Sequence, residues 1–239
     1  MQVCTAYLND IGGREYNDDT VRIISQNDGL CVFVGDGLGG YAGGKIASST
    51  AANIIGDYRK DNHLLNEEAM MEAAKAANEG VLAEQKRSHG QMKTTMVVLT
   101  VEGRQARWMH VGDSRLYYFR DGKLQSQTMD HSVSQMAVLM GEIKQEEIRF
   151  HEDRNKVLRA LGSGNAKPEI SPLLSLEGNE HTFLLCTDGF WEYVYENEME
   201  DFLKKAGSPK EWLEQMQGLL RNRASREHDN FSAAAVFVR

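Results

Sequence analysis

Proline and cysteine are scarce in this chain, and long apolar runs are missing. Its 239 residues include 3 prolines and 3 cysteines. Because the cysteines are odd in number and show no Cys-x-x-Cys spacing, the sequence favours neither a disulfide framework nor a zinc site. No apolar run approaches the ~18 residues that a membrane span needs. Residues 1–10 also lack the basic start and apolar core of a signal peptide, so we expect a cytoplasmic protein with no membrane partner.

Positive charge is in deficit. The formal net charge is -8 at pH 7, and an acidic chain of this kind is a poor partner for the phosphate backbone of nucleic acids. Low-complexity linkers and internal repeats are also missing. With 41% hydrophobic residues, the chain can bury one large core. We therefore expect residues 1–239 to form one large domain, or at most two small ones, and to bind no nucleic acid.

The most informative stretch covers residues 30–44. It begins with the apolar residues 30–34, a run that has the length of a buried strand. A glycine-rich turn follows directly and holds Asp36 between Gly35 and Gly37, after which the apolar residues take helical spacing. A carboxylate in such a position is costly unless a cation or hydrogen bonds meet it.

Two nucleotide-binding motifs overlap this stretch. Residues 35–40 match a dinucleotide fingerprint, with Asp57 about 20 residues further on. Residues 39–45 match a phosphate-binding loop up to its lysine, although Ile46 stands where that loop needs Ser or Thr. Both interpretations are disfavoured, because no second buried strand ends at Asp57 and an anionic pyrophosphate would lie beside Asp36.

The rest of the chain alternates groups of predicted strands with predicted helices. Strands are predicted at residues 2–8, 20–25, 30–34, 94–101, 106–111, 115–120, 123–127, 169–174, 181–186 and 233–238. Helices are predicted at residues 41–58, 66–88, 133–141, 144–150, 189–204 and 209–223. Asn66 and Ser208 are the expected N-caps of the second and last helices, and residues 27–29 and 121–122 are expected hairpin turns. Hairpin-linked strands favour antiparallel sheets with helices packed outside, rather than a doubly wound parallel sheet.

Acidic residues recur where other predicted strands meet turns. These are Asp18, Asp19, Asp113, Asp188 and Asp229. If the strand ends meet, these carboxylates line one cavity together with Asp36. There they repel one another and raise one another's pKa. A hard divalent cation removes this cost, and oxygen ligands suit Mg²⁺ or Mn²⁺.

The acids belong to a series of short motifs that runs through almost the whole chain. In order, these are Arg14-x-x-Asn17-Asp18-Asp19, Asp36-Gly37-Leu38-Gly39-Gly40, Thr94-Thr95, Gly112-Asp113-Ser114-Arg115, Asp130-His131-Ser132, Leu161-Gly162, Asp188-Gly189 and Asp229-Asn230. Each motif is weak alone. The ordered set resembles the protein phosphatase 2C family, the metal-dependent serine/threonine phosphatases, and in particular its bacterial branch.

The resemblance implies an α+β fold, a four-layer α-β-β-α sandwich in which two antiparallel sheets are flanked by helix pairs. Residues 132–164 would form the family's flap over the site. The implied reaction is hydrolysis of phosphoserine or phosphothreonine in proteins, by direct attack of a hydroxide shared between two Mn²⁺ or Mg²⁺ ions. A bacterial serine/threonine kinase would be the natural counterpart, and we expect a monomer. The alternative is a catalytically silent regulator of the same fold, which the retained acids disfavour.

The resemblance also assigns roles to single residues. Asp36 would bridge both metals as the central catalytic group, and the carbonyl oxygen of Gly37 would bind one of them. Asp188 and Asp229 would complete the protein ligands of the first metal.

Four further roles follow from the same resemblance. Asp18 would serve the second metal, while Asp19 would act through water or from behind the ligands. Asp113, together with Asp188, would hold a third and weaker ion. Arg14 would bind the phosphate, which its planar guanidinium suits.

The match departs from the family pattern at a few positions. Leu38 stands where animal members carry a histidine proposed as the general acid, so a metal-bound water is the first candidate proton donor and His131 a poor second. Asp18 is one methylene shorter than the family's usual glutamate, so water could link it to the second metal. Tyr41 and Gly44 replace the usual histidine and glutamate, and we expect them to affect packing rather than chemistry.

Overall fold

The structure is a computed structural model that describes residues 1–26, 29–39, 43–61 and 63–239, with Asp61 described by its backbone alone. Most of the predicted turn at residues 27–29 therefore lies outside the described residues, as do Gly40 and Tyr41. The strands are β1 Val3–Asp10, β2 Thr20–Gln26, β3 Gly29–Gly35, β4 Gly37–Leu38, β5 Lys93–Thr94, β6 Met96–Glu102, β7 Gln105–Val111, β8 Arg115–Arg120, β9 Lys123–Gln127, β10 Glu169–Ile170, β11 Leu174–Ser175, β12 His181–Cys186 and β13 Phe231–Val238. The helices are α1 Gly43–Asp61, α2 Glu67–Ser88, α3 Val133–Leu139, α4 Asp188–Trp191, α5 Glu196–Leu203 and α6 Pro209–Arg223.

The strands form two large antiparallel sheets. The first sheet has the order β1-β13-β12-β8-β9, and the second has the order β10-β7-β6-β3-β2, with β11 also paired to β7. Neighbouring strands in both sheets run antiparallel. The chain crosses from the second sheet to the first at residues 112–114, between β7 and β8. The predicted antiparallel arrangement is confirmed.

Three buried clusters lie in successive layers. Residues such as Val32, Leu99 and Phe183 pack between the two sheets. Helices α1 and α2 cover the outer face of the second sheet, with Ala51 among the buried residues. Helices α5 and α6 cover the outer face of the first sheet, with Trp212 at the centre of that contact. Since helices and sheets alternate in this way, the predicted four-layer α-β-β-α sandwich is confirmed.

Strand β3 shows why its sequence is continuously apolar. Successive side chains of a strand point to opposite faces of the sheet. Leu30, Val32 and Val34 face the core between the sheets, whereas Cys31 and Phe33 face α1 and α2. Because both faces of β3 are covered, a polar residue has no solvent-exposed position in this run.

Both predicted N-caps are present. The Asn66 side chain accepts a hydrogen bond from the Glu68 backbone N–H at 2.8 Å, and Ser208 Oγ accepts one from the Glu211 N–H at 3.2 Å. The Glu211 carboxylate accepts a second hydrogen bond, from the N–H of Gly207 at 2.8 Å, so this side chain also satisfies a backbone donor just before α6. Among the described residues, every helix is too short or too polar to cross a bilayer.

Four predicted elements are interrupted or altered. The predicted strand at residues 94–101 is divided at Thr95 into β5 and β6. The predicted helix at residues 144–150 is a 3-10 helix, Gln145–Phe150. The predicted helix at residues 189–204 is divided into α4 and α5, because Tyr195 starts a new helix whose Glu198 carboxylate bonds the Tyr195 N–H at 2.9 Å. The predicted strand at residues 169–174 is divided into β10 and β11, because Pro172 between them cannot donate to a ladder.

One end of the sandwich collects the strand ends that carry acids. In the second sheet, Thr20 at the start of β2 pairs with Gly35 at the end of β3. In the first sheet, Cys186 at the end of β12 pairs with Arg115 at the start of β8 and with Ala233 near the start of β13. The acidic residues that adjoin these positions are therefore brought to the same end of the molecule.

Candidate metal centre

A cavity of about 450 Å³ opens at this end of the sandwich. It is lined by Arg14, Glu15, Tyr16, Asp18, Asp36, Gly37, Leu38, Gly39, Asp113, Asn155, Val157, Asp188, Asp229 and Asn230. We call it the acidic cavity, because five of these residues are aspartates. Seven of the eight predicted site residues line it, and the eighth, Asp19, does not.

The aspartates of the acidic cavity come from both sheets. Asp18 precedes β2 and Asp36 follows β3, so both belong to the second sheet. Asp188 follows β12 and Asp229 precedes β13, so both belong to the first sheet. Asp113 lies where the chain crosses between the sheets. The geometry of the site therefore depends on how the two sheets are held together at this end.

Asp36 is held by its backbone, while its carboxylate accepts no hydrogen bond from the described residues. Thr95 Oγ1 accepts from the Asp36 N–H at 2.9 Å, and Thr94 Oγ1 donates to the Asp36 carbonyl oxygen at 2.8 Å. Burial raises the pKa of the Asp36 carboxyl well above its usual value, and the neighbouring carboxylates, Asp188 first, raise it further. The carboxylate thus lacks the positive charge that would offset its burial.

Asp188 and Asp113 lie in similar surroundings. Burial raises the pKa of Asp188 well above its usual value, with Asp113 as the next cause. Burial also raises the pKa of Asp113 to about 7, with the carboxylate of Asp130 as the next cause. The described donor to the Asp188 carboxylate is the adjacent N–H of Gly189, at 2.6 Å from Oδ1. Most lone pairs of both carboxylates remain available to a ligand.

Arg14 and Asp229 form a two-pronged ion pair at the mouth of the acidic cavity. Arg14 Nε donates to Asp229 Oδ1 at 3.0 Å, and Arg14 Nη2 donates to Oδ2 at 2.9 Å. The hydrogen bond with Asp229 raises the pKa of the Arg14 guanidinium. Because the Arg14 side chain is 54% exposed and these bonds use Nε and Nη2, it can offer Nη1 to an anion without leaving Asp229.

Asp18 and Lys45 overturn the nucleotide-binding interpretations. The Lys45 backbone N–H donates to Asp18 Oδ1 at 3.0 Å, so a carboxylate already meets the start of α1. Lys45 Nζ donates to the Asp19 carbonyl oxygen at 2.5 Å and to Thr20 Oγ1 at 3.1 Å, so it is not a phosphate-binding lysine. The dinucleotide interpretation is also wrong, because Asp57 lies within α1 and not at the end of a second strand.

Asp19 lies behind the wall of the acidic cavity. It is 1% exposed, and its Oδ2 accepts a hydrogen bond from Thr187 Oγ1 at 2.9 Å. Burial raises its pKa to about 7. Since Thr187 immediately precedes Asp188, the Asp19 carboxylate connects the start of β2 to the end of β12. This contact joins the two sheets directly behind the cavity.

Gly37 and Gly44 allow two backbone segments to touch beside Asp18. A Cβ atom on Gly37 would lie 2.2 Å from the Gly44 carbonyl oxygen and 2.6 Å from that of Asp18. A Cβ atom on Gly44 would lie 2.4 Å from the Gly37 carbonyl oxygen. These distances are far below van der Waals contact, so both positions require glycine. Gly44 affects packing, as predicted, whereas the predicted role of Tyr41 lies outside the described residues.

Asn230 is a structural residue of the site that sequence reasoning left without a role. Its side-chain Oδ1 accepts from the Asp18 N–H at 2.9 Å. Its Nδ2 donates to the carbonyl oxygens of Ile11 and Tyr16 at 2.7 and 2.9 Å. The Asn230 amide therefore anchors the whole segment that presents Arg14 and Asp18. The sequence feature that pointed to Asn230 was its position next to Asp229 in the Asp229-Asn230 motif.

The predicted flap contributes Asn155 and Val157 to the lining of the acidic cavity, whereas His131 does not line it. His131, His110 and Glu169 form a separate group with side-chain atoms close enough to share a cation. However, His131 Nδ1 accepts the Gly112 N–H at 3.1 Å, and the Arg159 guanidinium lies 3.1 Å from His131 Nε2. Because one lone pair is used and a positive charge adjoins the other nitrogen, this group is unsuited to a cation.

The acidic cavity has the donor set of a hard divalent cation. Its possible ligands are carboxylate oxygens and the Gly37 carbonyl oxygen, and the described lining contains neither histidine nor cysteine. Oxygen ligands of this kind suit Mg²⁺ or Mn²⁺. A cation would also supply the positive charge that the partly buried carboxylates of Asp36 and Asp188 lack. The residues present therefore fit a divalent metal.

The profile of the family described as protein phosphatase 2C matches residues 11–229 of the chain. The chain belongs to the protein phosphatase 2C family. Within this family, the serine/threonine phosphatase stp of Listeria welshimeri serovar 6b is 32% identical over 206 residues, which cover 83% of this chain and 81% of that protein.

Solved structures of protein phosphatase 2C relatives share the fold. The crystal structure of the Mycobacterium tuberculosis serine/threonine phosphatase PstP/Ppp aligns with a TM-score of 0.85 and 26% identity, over 99% of each chain. The catalytic domain of the serine/threonine protein phosphatase PstP in complex with two manganese ions aligns with a TM-score of 0.82 and 25% identity, over 99% of each chain. The four-layer sandwich described above is therefore the fold of these phosphatases.

Proposed function

We propose that this protein is a metal-dependent phosphatase that hydrolyses phosphoserine and phosphothreonine in proteins. The observation that carries this proposal is the acidic cavity, where the partly buried Asp36 carboxylate lies among other aspartates without a described hydrogen-bond donor. Membership of the protein phosphatase 2C family supports the proposal. So does the similarity to the Listeria protein, which is named a serine/threonine phosphatase.

Two divalent ions are the proposed cofactors, Mn²⁺ or Mg²⁺. Asp36 would be their shared ligand, and the Gly37 carbonyl oxygen would bind one of them. Asp188 and Asp229 would complete the first ion's protein ligands, and Asp18 would serve the second through water. The related catalytic domain that holds two manganese ions supports the number of ions.

The remaining acids would have supporting roles. Asp113, together with Asp188, would hold a third and weaker ion, and burial raises the pKa of the Asp113 carboxyl to about 7 in the absence of metal. Asp19 would act from behind the ligands, since its carboxylate is bonded to Thr187. This proposal makes Asp19 a residue that positions Asp188.

The chemistry divides between the ions and the chain's own side chains. Bound divalent ions supply a water of lowered pKa and positive charge next to the phosphoryl group. Arg14 binds the phosphate oxygens through Nη1, in a charge-assisted hydrogen bond. Leu38 lines the acidic cavity and has no proton to give, and His131 lies outside the lining. Water is therefore the proposed proton donor to the leaving alkoxide oxygen, which becomes the free hydroxyl of the serine or threonine.

Residues 1–239 are proposed to act as one catalytic domain, with residues 132–164 as a flap that shapes substrate access. The lining positions of Asn155 and Val157 support this role of the flap. The proposed substrates are phosphoproteins, including a serine/threonine kinase and its products. A monomeric state and a cytoplasmic location stay predictions, which light scattering and cell fractionation can check.

The test is hydrolysis of p-nitrophenyl phosphate and of a phosphothreonine peptide by the purified chain. Turnover is expected with Mn²⁺ or Mg²⁺, none with EDTA, and none in Asp36→Asn with metal. Turnover that is insensitive to EDTA, or unchanged in Asp36→Asn, would contradict the proposal. A chain that binds Mn²⁺ and shows no turnover would be the silent regulator instead.

A further inference from the structure

Thr95 is a buried residue between β5 and β6 that makes contact with both sheets, and its position in the sequence gave it no role. Its backbone N–H donates to the Asp36 carbonyl oxygen at 2.9 Å. Its Oγ1 accepts from the Asp36 N–H at the same distance, 2.9 Å. The last pair of the β3–β6 ladder is Val34 with Val97. Beyond it, Thr95 bonds Asp36 through its side chain as well as its backbone, and Thr94 Oγ1 adds a bond to the Asp36 carbonyl oxygen.

The same side chain contacts the segment that crosses to the first sheet. Thr95 Oγ1 lies 2.6 Å from Ser114 Oγ, and both hydroxyls are buried. On the other side, the Thr95 methyl fills the space beside Gly112, where a Cβ atom would lie 2.7 Å from Thr95 Cγ2. Gly112 has φ +106°, which favours glycine. Thr95 therefore touches the residues on both sides of Asp113.

We propose that Thr95 is a positioning residue that fixes Asp36 relative to Asp113 and thereby sets the affinity of the acidic cavity for divalent metal. This inference rests on the proposed metal centre. One oxygen atom, Thr95 Oγ1, bonds the backbone of Asp36 and the hydroxyl of Ser114, so it connects the end of β3 to the start of β8.

The hydroxyl and the methyl of Thr95 have separable roles. Without the hydroxyl, the Asp36 N–H is buried without a partner, which is costly enough for the backbone to shift. Metal ligands must keep their distances within about 0.2 Å, so such a shift weakens metal binding. Without the methyl, a small void forms beside Gly112, which lowers stability but leaves both hydrogen bonds in place.

Thr100 provides a control on β6, the strand that begins directly after Thr95. It is buried like Thr95 and pairs with Cys31 in the β3–β6 ladder. At about 3.3 Å per residue it lies roughly 17 Å from Thr95, away from the acidic cavity. Because Thr100 Oγ1 has no hydrogen-bond partner among the described residues, Thr100→Val tests the replacement of a buried hydroxyl by a methyl group away from the site, without the loss of a hydrogen bond.

The experiment measures Mn²⁺ binding by isothermal titration calorimetry, and Tm in EDTA, for the full chain and its variants. Thr95→Val is expected to weaken Mn²⁺ binding about tenfold, the effect of one lost buried hydrogen bond. Thr95→Ser, which keeps the hydroxyl, is expected to bind Mn²⁺ within about twofold of the unaltered chain despite a lower Tm. Thr100→Val is expected to leave Mn²⁺ binding unchanged.

Three results would overturn the inference. They are an unchanged Mn²⁺ affinity in Thr95→Val, an equal loss in Thr95→Ser, and an equal loss in Thr100→Val. If Thr95→Val does not fold, Ser114→Ala removes the other hydroxyl and is expected to weaken Mn²⁺ binding about threefold, with unchanged binding as the contrary result. Because binding is read without turnover, a chain that binds Mn²⁺ but hydrolyses no phosphopeptide would refute the proposed function alone.

Discussion

Asp36-Gly37 and Asp121-Gly122 are the same dipeptide at the ends of two strands, yet their surroundings differ completely. Asp121 and Gly122 have φ of 49° and 73° and join β8 to β9 as a hairpin turn, as predicted. The Asp121 carboxylate is exposed and accepts hydrogen bonds from Asn179 Nδ2 and from the Glu180 N–H. The Asp36 carboxylate is partly buried, accepts none from the described residues, and has a strongly raised pKa.

The difference shows that the dipeptide itself carries no chemistry. In the turn, aspartate and glycine are needed for backbone conformation, and the carboxylate finds donors in the loop beside it. In the acidic cavity, glycine permits close backbone contact, and the carboxylate is left for a ligand that brings positive charge. Asp188-Gly189 resembles Asp36-Gly37 rather than the turn, because burial and neighbouring carboxylates raise the pKa of the Asp188 carboxyl.

The same substitution is expected to have opposite outcomes at Asp188 and at Asp121. Asp188→Asn removes a charge from the acidic cavity and is expected to lower metal-dependent kcat by at least ~10³-fold. Asp121→Asn makes the same change in the turn, where asparagine also tolerates positive φ, and is expected to leave kcat unchanged. Steady-state kinetics with a phosphothreonine peptide checks both, and an equal loss in the two variants would remove the distinction.

The Arg14 guanidinium is expected to affect substrate binding, whereas the aspartates affect metal binding. Arg14→Ala removes the proposed phosphate ligand and is expected to lower kcat/KM about 10²-fold while Mn²⁺ still binds. Arg221→Ala is the matched control, since Arg221 also pairs with an aspartate, Asp10, at 2.7 Å but does not line the cavity. A loss of Mn²⁺ binding as large as the loss of kcat/KM in Arg14→Ala would show that Arg14 only organises Asp229.

The raised carboxyl pKa values determine how the stability of the metal-free protein depends on pH. Burial holds the pKa of Asp19 and of Asp113 at about 7, against ~3.9 in an unfolded chain. At pH values between the unfolded and the folded pKa, the folded state keeps protons that the unfolded state has released. The free energy of unfolding therefore falls as pH rises. The Tm in EDTA is expected to be at least ~5 °C lower at about pH 7.5 than at about pH 5.5.

Saturating Mn²⁺ is expected to reverse this trend, because the cation stabilises the ionised carboxylates. The measurement is differential scanning calorimetry at both pH values with and without metal. A metal-free Tm that rises with pH would mean that these carboxylates are already offset by protein charge, as in the Asp121 turn.

The Asp18 carboxylate accepts a hydrogen bond from the Lys45 N–H near the start of α1. Its removal is expected to change stability only slightly. Asp18→Ala removes this bond and is expected to cost about 1 kcal/mol, or roughly 2–4 °C in the Tm of the metal-free chain. Asp18→Asn keeps an acceptor oxygen and is expected to retain most of this stability. Equal Tm values in the two variants would indicate that the carboxylate does not cap α1.

Much of the fold could be predicted, because its signals are local. The continuous apolar run of β3, the caps Asn66 and Ser208, and the Asp121-Gly122 turn depend on a few neighbouring residues each. Predictions failed where a distant contact or a backbone detail decided the outcome. Pro172 divides one predicted strand, and the new cap at Tyr195 divides one predicted helix.

The sequence alone determined which residues could be ligands, because carboxylates at strand ends are visible in the chain and their ordered motifs are specific to one family. Only the tertiary structure decided how these acids differ. It turns the Asp19 carboxylate to Thr187, bonds Asp18 to the start of α1, pairs Arg14 with Asp229, and leaves Asp36 without a described donor. The physical reason is that the pKa and the free lone pairs of a carboxylate depend on burial and on groups far away in sequence.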